Sequence, residues 1–264
     1  MRASLACLLA LAACSSDSGY STTEPPTTGS DTGSNNPPTT DPTMRQDYDD
    51  VASIVSSNLN VAELAAMQAS INISYGRLPT GMVEDVAGGL ASGTGSVSGT
   101  LAGLAYSFAF ECHDVAHNAV PCNGAEDHVR LVVKYTGAAS AATMSMDGVN
   151  EKGVFYVRYV NVPKPMYGGT GSTSFTSTLS SGVYTISYTE ASAHLQFDPT
   201  TPALPAAGTD DFTLTIHRTR DGAPDRDFNV SAHLEVSGPD AATLTLDGSE
   251  VYNVTLSTGV AVHQ

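Results

Sequence analysis

The sequence predicts a mainly β fold, an antiparallel meander curled into a barrel or a sandwich, with a short N-terminal α-helical segment. Three observations predict it. From about residue 100 onward, apolar residues recur at every second position in one run after another. The runs are punctuated by Asp147-Gly148, Asp221-Gly222 and Asp247-Gly248, dipeptides that favour tight hairpin turns. Before them, over about 46–72, the apolar spacing is three to four residues, which is helical.

The chain opens with MRASLACLLALAACSSDSG, in which Arg2 precedes an apolar run of about ten residues and then small residues before Cys14. This run is too short to span a bilayer as a helix and reads as an export signal over 1–13. Leu11-Ala12-Ala13-Cys14 resembles the lipobox of bacterial lipoproteins. The resemblance implies that Cys14 carries acyl chains, palmitate among them, and becomes the first residue of the mature protein. Cys7 is the rival position, but Ser4 stands where the motif needs a large aliphatic residue. Several acyl chains anchor where one would not, since each buried methylene contributes about 0.8 kcal/mol. Ser15, in the position where aspartate signals inner-membrane retention, points to the outer membrane.

Residues 15–43 are Ser, Thr, Pro, Gly, Asp and Asn with almost nothing apolar, so 14–43 is expected to be a lipidated cysteine followed by a disordered tether. A coil of that length reaches roughly 30 Å. The remaining residues, 44–264, suffice for one domain with one core.

Within that domain, Tyr48, Val51, Ile54 and Val55, then Val61, Leu64, Met67 and Ile71, fall at helical intervals. Asn60 with Glu63 three residues on predicts a cap that restarts a second helix after Asn58. Gly76 and Pro79 close the helical region. The strands follow. Leu104, Tyr106, Phe108, Phe110 and Cys112 share one face, as do Val129, Leu131, Val133 and Tyr135, and Phe155, Val157 and Tyr159. The pattern continues through Tyr184–Tyr188, Phe212–Ile216, Phe228–Val236, Ala242–Leu246 and Tyr252–Leu256. Nine to eleven strands are expected, with the helices over an open edge or mouth. A membrane-spanning barrel would need longer strands and aromatic girdles, and the chain has no tryptophan.

The formal charge is −16, and loss of Arg2 with the signal makes it −17. Such a balance argues against nucleic acid as a partner and leaves the membrane contacted through the lipid anchor. Of four cysteines, Cys112 and Cys122 remain in the exported domain, where a disulfide is expected. Their surroundings, FECHDVAHNAVPCNGAEDH, also hold His113, His117 and His128, the residues a zinc site would recruit if the thiols stayed reduced.

Recognisable catalytic motifs are absent. GGTGST at Gly168–Thr173 lacks the lysine of a phosphate loop and reads as a flexible loop, and GSVSG centres on Val97 where a nucleophile would stand. Two weaker constellations are left. His217 and His233 would oppose each other outside if Ile216 paired with Leu234, near enough to share a metal. Asp47, Asp49 and Asp50, and Asp221, Asp225 and Asp227, offer oxygen ligands for calcium. The span Ala102–Val133 together with ATLTLDGSEVYNVTLSTG resembles hypothetical cell-envelope lipoproteins of bacteria, a group that implies fold and location but no activity. The expected role is therefore non-catalytic binding or structural association, with an envelope protein as a possible partner and no cofactor. A carrier of a small hydrophobic ligand, a calcium- or zinc-binding protein and a hydrolase are the alternatives.

Overall fold

The computed structural model describes residues 42–198 and 204–264. The expected signal and the expected lipidation site Cys14 lie outside the described residues, and helix begins at Pro42, within the end of the expected tether.

The helical segment is one continuous rod. α1 (Pro42–Asn58) runs through a π turn (Leu59–Glu63) into α2 (Leu64–Ser74). The expected break after Asn58 does not occur, because Asn58 is itself helical at φ −62° and ψ −44° and no side chain caps there. Asn60 donates instead to the Leu256 carbonyl at 2.7 Å, and Glu63 is buried. The π turn inserts one residue, which rotates the following face by about 100°. Val51, Ile54, Leu59, Met67 and Ile71, spread around the rod, are each at most 2% exposed. Apolar residues on several sides of one rod require that it be enclosed.

The enclosure is a twelve-stranded antiparallel meander in which each strand bonds to the next in sequence. β1 (Met82–Glu84) is followed by a single helical turn, α3 (Gly89–Ser92), and then by β2 (Thr94–Leu101) and β3 (Leu104–His113). The long strands are β4 (His128–Ser140), β5 (Met144–Arg158), β6 (Met166–Leu179), β7 (Gly182–Phe197), β8 (Pro205–Arg220) and β9 (Ala223–Gly238). β10 (Ala241–Leu246), β11 (Glu250–Thr255) and β12 (Val260–His263) complete it. β3, β4 and β5 pack on α2, and β10, β11 and β12 pack on α1. Tyr188 on β7 and Arg218 and Arg220 on β8 reach the rod from between them. The sheet thus curls into a barrel-like ring with the helix inside, not over an edge or mouth.

The alternation places its residues as expected. The inner sets of β3, β4, β7, β8, β10 and β11 are buried, while Thr185, Ser187, Thr189, Thr213 and Thr215 point outward. An interior lined mainly by apolar side chains and a hydroxyl-rich exterior differ from the pattern of a lipid-facing barrel. Four expectations are corrected. The strand count is twelve, because the short β1 and β12 carry too little pattern to read. Gly168–Thr173 is no loop but the middle of β6, its inner positions Gly169 and Gly171 leaving room for the Phe155 ring. Asp147-Gly148 is a bulge within β5, and the β4–β5 turn closes earlier through the bond from Ala141 N to Met144 O. Tyr159 falls beyond β5 at φ +56° and is 52% exposed.

Candidate functional site

The helix–sheet interface is polar at its centre. Glu63, at the end of the π turn, accepts hydrogen bonds from the Tyr135 hydroxyl on β4 at 2.5 Å, the Tyr188 hydroxyl on β7 at 2.6 Å and Asn58 Nδ2 at 3.2 Å. The Tyr106 hydroxyl donates to the Ala62 carbonyl at 2.9 Å. Burial raises the Glu63 carboxyl above its ordinary range against the opposing pull of its three donors. Glu151 on β5 is 1% exposed, and neither of its carboxyl oxygens has a hydrogen-bond partner. Burial, reinforced by the charge of Glu63, pushes it up to about 10, so it is a neutral acid at pH 7. Glu190 and Asp210 are buried on the same inner face, and all four acids act on Tyr167, whose hydroxyl burial already drives far up. Gly171 makes the space: a Cβ there would collide with Glu151 Oε1 and lie 3.4 Å from Glu190 Oε2. The void beside Glu63, lined by Ile54, Leu59, Phe175 and Tyr188, amounts to ≈ 10 Å³, about one water. Of these acids, Glu63 ties the helix to the sheet, through the Tyr135 hydroxyl on β4 and the Tyr188 hydroxyl on β7.

The acidic run expected for calcium has other partners. Asp47, 2% exposed, meets Arg218 at 3.3 Å, Arg220 at 3.0 Å and Arg226 at 3.1 Å. Asp50 accepts from Arg220 at 2.9 Å and, at shorter range, from the Tyr184 hydroxyl. Asp49 accepts from the Tyr252 hydroxyl at 2.9 Å. Guanidinium groups thus stand where a cation would, and they fix the start of the rod to β8 and β9. Of the second run, Asp221 lies in the β8–β9 turn and Asp225 beyond it, both beside an open groove, and Asp227 faces His217.

His217 and His233 do not face each other. His217 opposes Asp227 and His233 opposes Asp211, with Nδ1 to Oδ1 distances of 2.7 and 2.6 Å. The cause is the turn. Asp221-Gly222 makes a two-residue hairpin with Arg220 opposite Ala223, so Ile216 pairs with Phe228 and not Leu234. The six residues from Asp227 to His233 separate the two imidazoles by about 20 Å along β9.

Cys112 and Cys122 form the expected disulfide, with Cα atoms 5.5 Å apart, which removes both thiols as zinc ligands. His113 and His128 stack at 5.1 Å, and His117 meets His128 edge-on at 5.2 Å. Nδ1 of His128 is held by Asp127 at 3.1 Å. Among the described residues, no group of three or more His, Cys, Asp or Glu side chains is arranged to hold a metal ion.

The outer face of β4–β8 has a different character. Lys134 on β4 stands directly opposite Lys152 on β5, and His128 stands opposite Arg158. Lys152 borders a groove of ≈ 540 Å³ lined by Asn150, Ser172, Ser187, Thr189 and Thr213. A second groove of ≈ 480 Å³ follows on the same strands, bordered by Tyr156, Arg158, Thr170 and His194. The Arg158 guanidinium lies 5.4 Å from the centre of the Tyr156 ring.

The buried acids were within reach of the sequence. Glu151 shares the inward phase of Phe155 and Val157, Glu190 that of Tyr188, and Asp210 and Arg218 that of Phe212. Prolonging each apolar alternation by one or two steps would have found them. No protein-family model, curated protein or solved structure matches the chain.

Proposed function

We propose that the protein is an envelope lipoprotein, held to the outer membrane through acylated Cys14. Its domain works by non-catalytic binding or structural association through its exterior. The observation that carries the reading is the packing around Glu63: the void there is ≈ 10 Å³, too small for a carried ligand, whereas open grooves of ≈ 540 and ≈ 480 Å³ lie outside. The motif Leu11-Ala12-Ala13-Cys14 supports the anchor, and the Cys112–Cys122 bridge accords with an oxidising compartment. Metabolic labelling of the full chain with a palmitate analogue, followed by membrane fractionation, tests it. Label in the outer-membrane fraction that disappears in Cys14→Ser is the expected result. Unlabelled protein, or label that survives the substitution, would overturn the anchor.

A further inference from the structure

We propose that the outer face of β4–β8 binds an acidic glycan, with Lys134, Lys152 and Arg158 taking its anionic groups and the groove hydroxyls taking its sugar hydroxyls. The argument begins with charge. The chain carries 27 acidic and 11 basic residues, so its cations should be readily paired. Arg218, Arg220 and Arg226 do meet Asp47, and Arg130 reaches Glu111 at 3.8 Å, while Arg45 bonds to His263. Lys134, Lys152 and Arg158 are exposed and meet no carboxylate among the described residues, and all three lie on the outer face of two adjacent strands.

Lys134 and Lys152 are also directly opposed. Like charges so placed destabilise a sheet, and an anion shared between them would remove the repulsion. From Lys152 the surface continues into the groove bearing Ser172, Ser187, Thr189 and Thr213, a set of donors and acceptors suited to neutral hydroxyls. Farther along β5, Tyr156 and Arg158 border the second groove. Lys152 and Arg158 are six residues apart, about 20 Å along the strand. That spacing suits a chain with sparse charges. A nucleic-acid strand carries one charge per about 3.4 Å, and the overall charge of −16 repels so dense a polyanion, or an anionic bilayer, far more than a chain with sparse charges.

The inference rests on the reading that the exterior binds, but is independent of the anchor, which lipid labelling tests separately. The full chain would be applied to an array of carboxylated, sulfated, phosphorylated and neutral glycans, with single-stranded DNA and anionic vesicles alongside. Retention on acidic glycans is expected, weakened at least tenfold in Lys152→Glu and in Lys134→Glu. Lys164→Glu, in the loop after β5, serves as the control and should bind as the parent does. Both test residues are exposed, and an unchanged melting curve would show that the variants fold. Absence of binding to any acidic glycan, equal retention on neutral ones, stronger binding to DNA or vesicles, or insensitivity to the two substitutions would each overturn the proposal.

Discussion

The Tyr188 hydroxyl donates to Glu63 Oε1 at 2.6 Å, joining β7 to the π turn of the central rod across 125 residues of sequence. Tyr135 brings β4 to the same carboxyl, so one side chain gathers two distant strands around the helix. The π turn is what aims Glu63 there, since an uninterrupted α-helix would place it on another face. Tyr188→Phe removes one buried donor and should lower unfolding free energy by about 1–2 kcal/mol. Tyr135→Phe should do likewise. The double variant should depart from additivity, because both donors share one acceptor. Urea denaturation of the four proteins measures the coupling; strict additivity would mean the two bonds are independent.

Glu151 makes stability depend on pH in an unusual direction. Its folded value is raised to about 10 from an ordinary 4.5, so the folded protein keeps a proton that the unfolded chain releases. Its favourable share is fully present below the unfolded value and is lost as pH rises through 4.5 toward 10. Glu151→Gln keeps the shape without the titration. The variant should be more stable than the parent at pH 8 by at least about 1 kcal/mol, with the gap narrowing toward pH 5. Melting temperatures across that range decide it, and a gap that widens toward acid pH would refute the assignment.

Gly171 is required by space, not by backbone conformation. A methyl group there would enter the volume of Glu151 Oε1 and lie 3.0 Å from the Phe155 ring. Gly171→Ala should cost about 1–3 kcal/mol as overpacking. Glu151→Ala should rescue part of that loss by vacating the volume, whereas Gly148→Ala, at a position with nothing within 4 Å, should show only the strain of its φ of +64°. Denaturation midpoints of these variants provide the comparison.

The fold was legible in the sequence wherever alternation was strong. β3, β4, β7 and β8 were readable because large apolar residues repeat at every second position, a signal that burial against a core imposes directly. β6 was not, because Gly169, Gly171 and Thr173 interrupt its inner face between Tyr167 and Phe175, and the bulk filling that space belongs to Phe155 on its neighbour. The interior place of the helix was hidden for a related reason. Its faces are populated by Ala52, Ala62, Ala66 and Ala69 as much as by larger residues, and alanine gives little contrast between a buried and an exposed face. The histidine pairing failed on register, since pairing Ile216 with Leu234 in place of Phe228 shifts every cross-strand neighbour. The basic face of β4 and β5 can be found only once pairing places Lys134 against Lys152 and shows which cations lack acids.

The disulfide closes the turn between β3 and β4 with a sequence separation of ten residues. Replacing Cys112 and Cys122 by serine should lower stability by about 2–3 kcal/mol. Hydrogen exchange should rise chiefly in 112–128, because β3 stays paired to β4 along its whole length. Loss of protection through β4 and β5 would show instead that the bridge supports the sheet itself.

Asp47 should be the most costly acid to remove. It is 2% exposed and meets three guanidinium groups, of which that of Arg218 is itself only 2% exposed. Asp47→Asn leaves those charges facing a neutral amide, the Arg218 guanidinium fully buried among them, and the loss of a buried partner is typically about 3–5 kcal/mol. Asp49→Asn, which weakens a single bond from Tyr252, should cost no more than about 1 kcal/mol. Salt separates this account from one based on surface attraction. A surface pair is screened at 1 M ionic strength, while a buried one is little affected. The difference in unfolding free energy between Asp47→Asn and the parent should therefore persist at 1 M sodium chloride, and its collapse there would mean that the cluster is open to solvent.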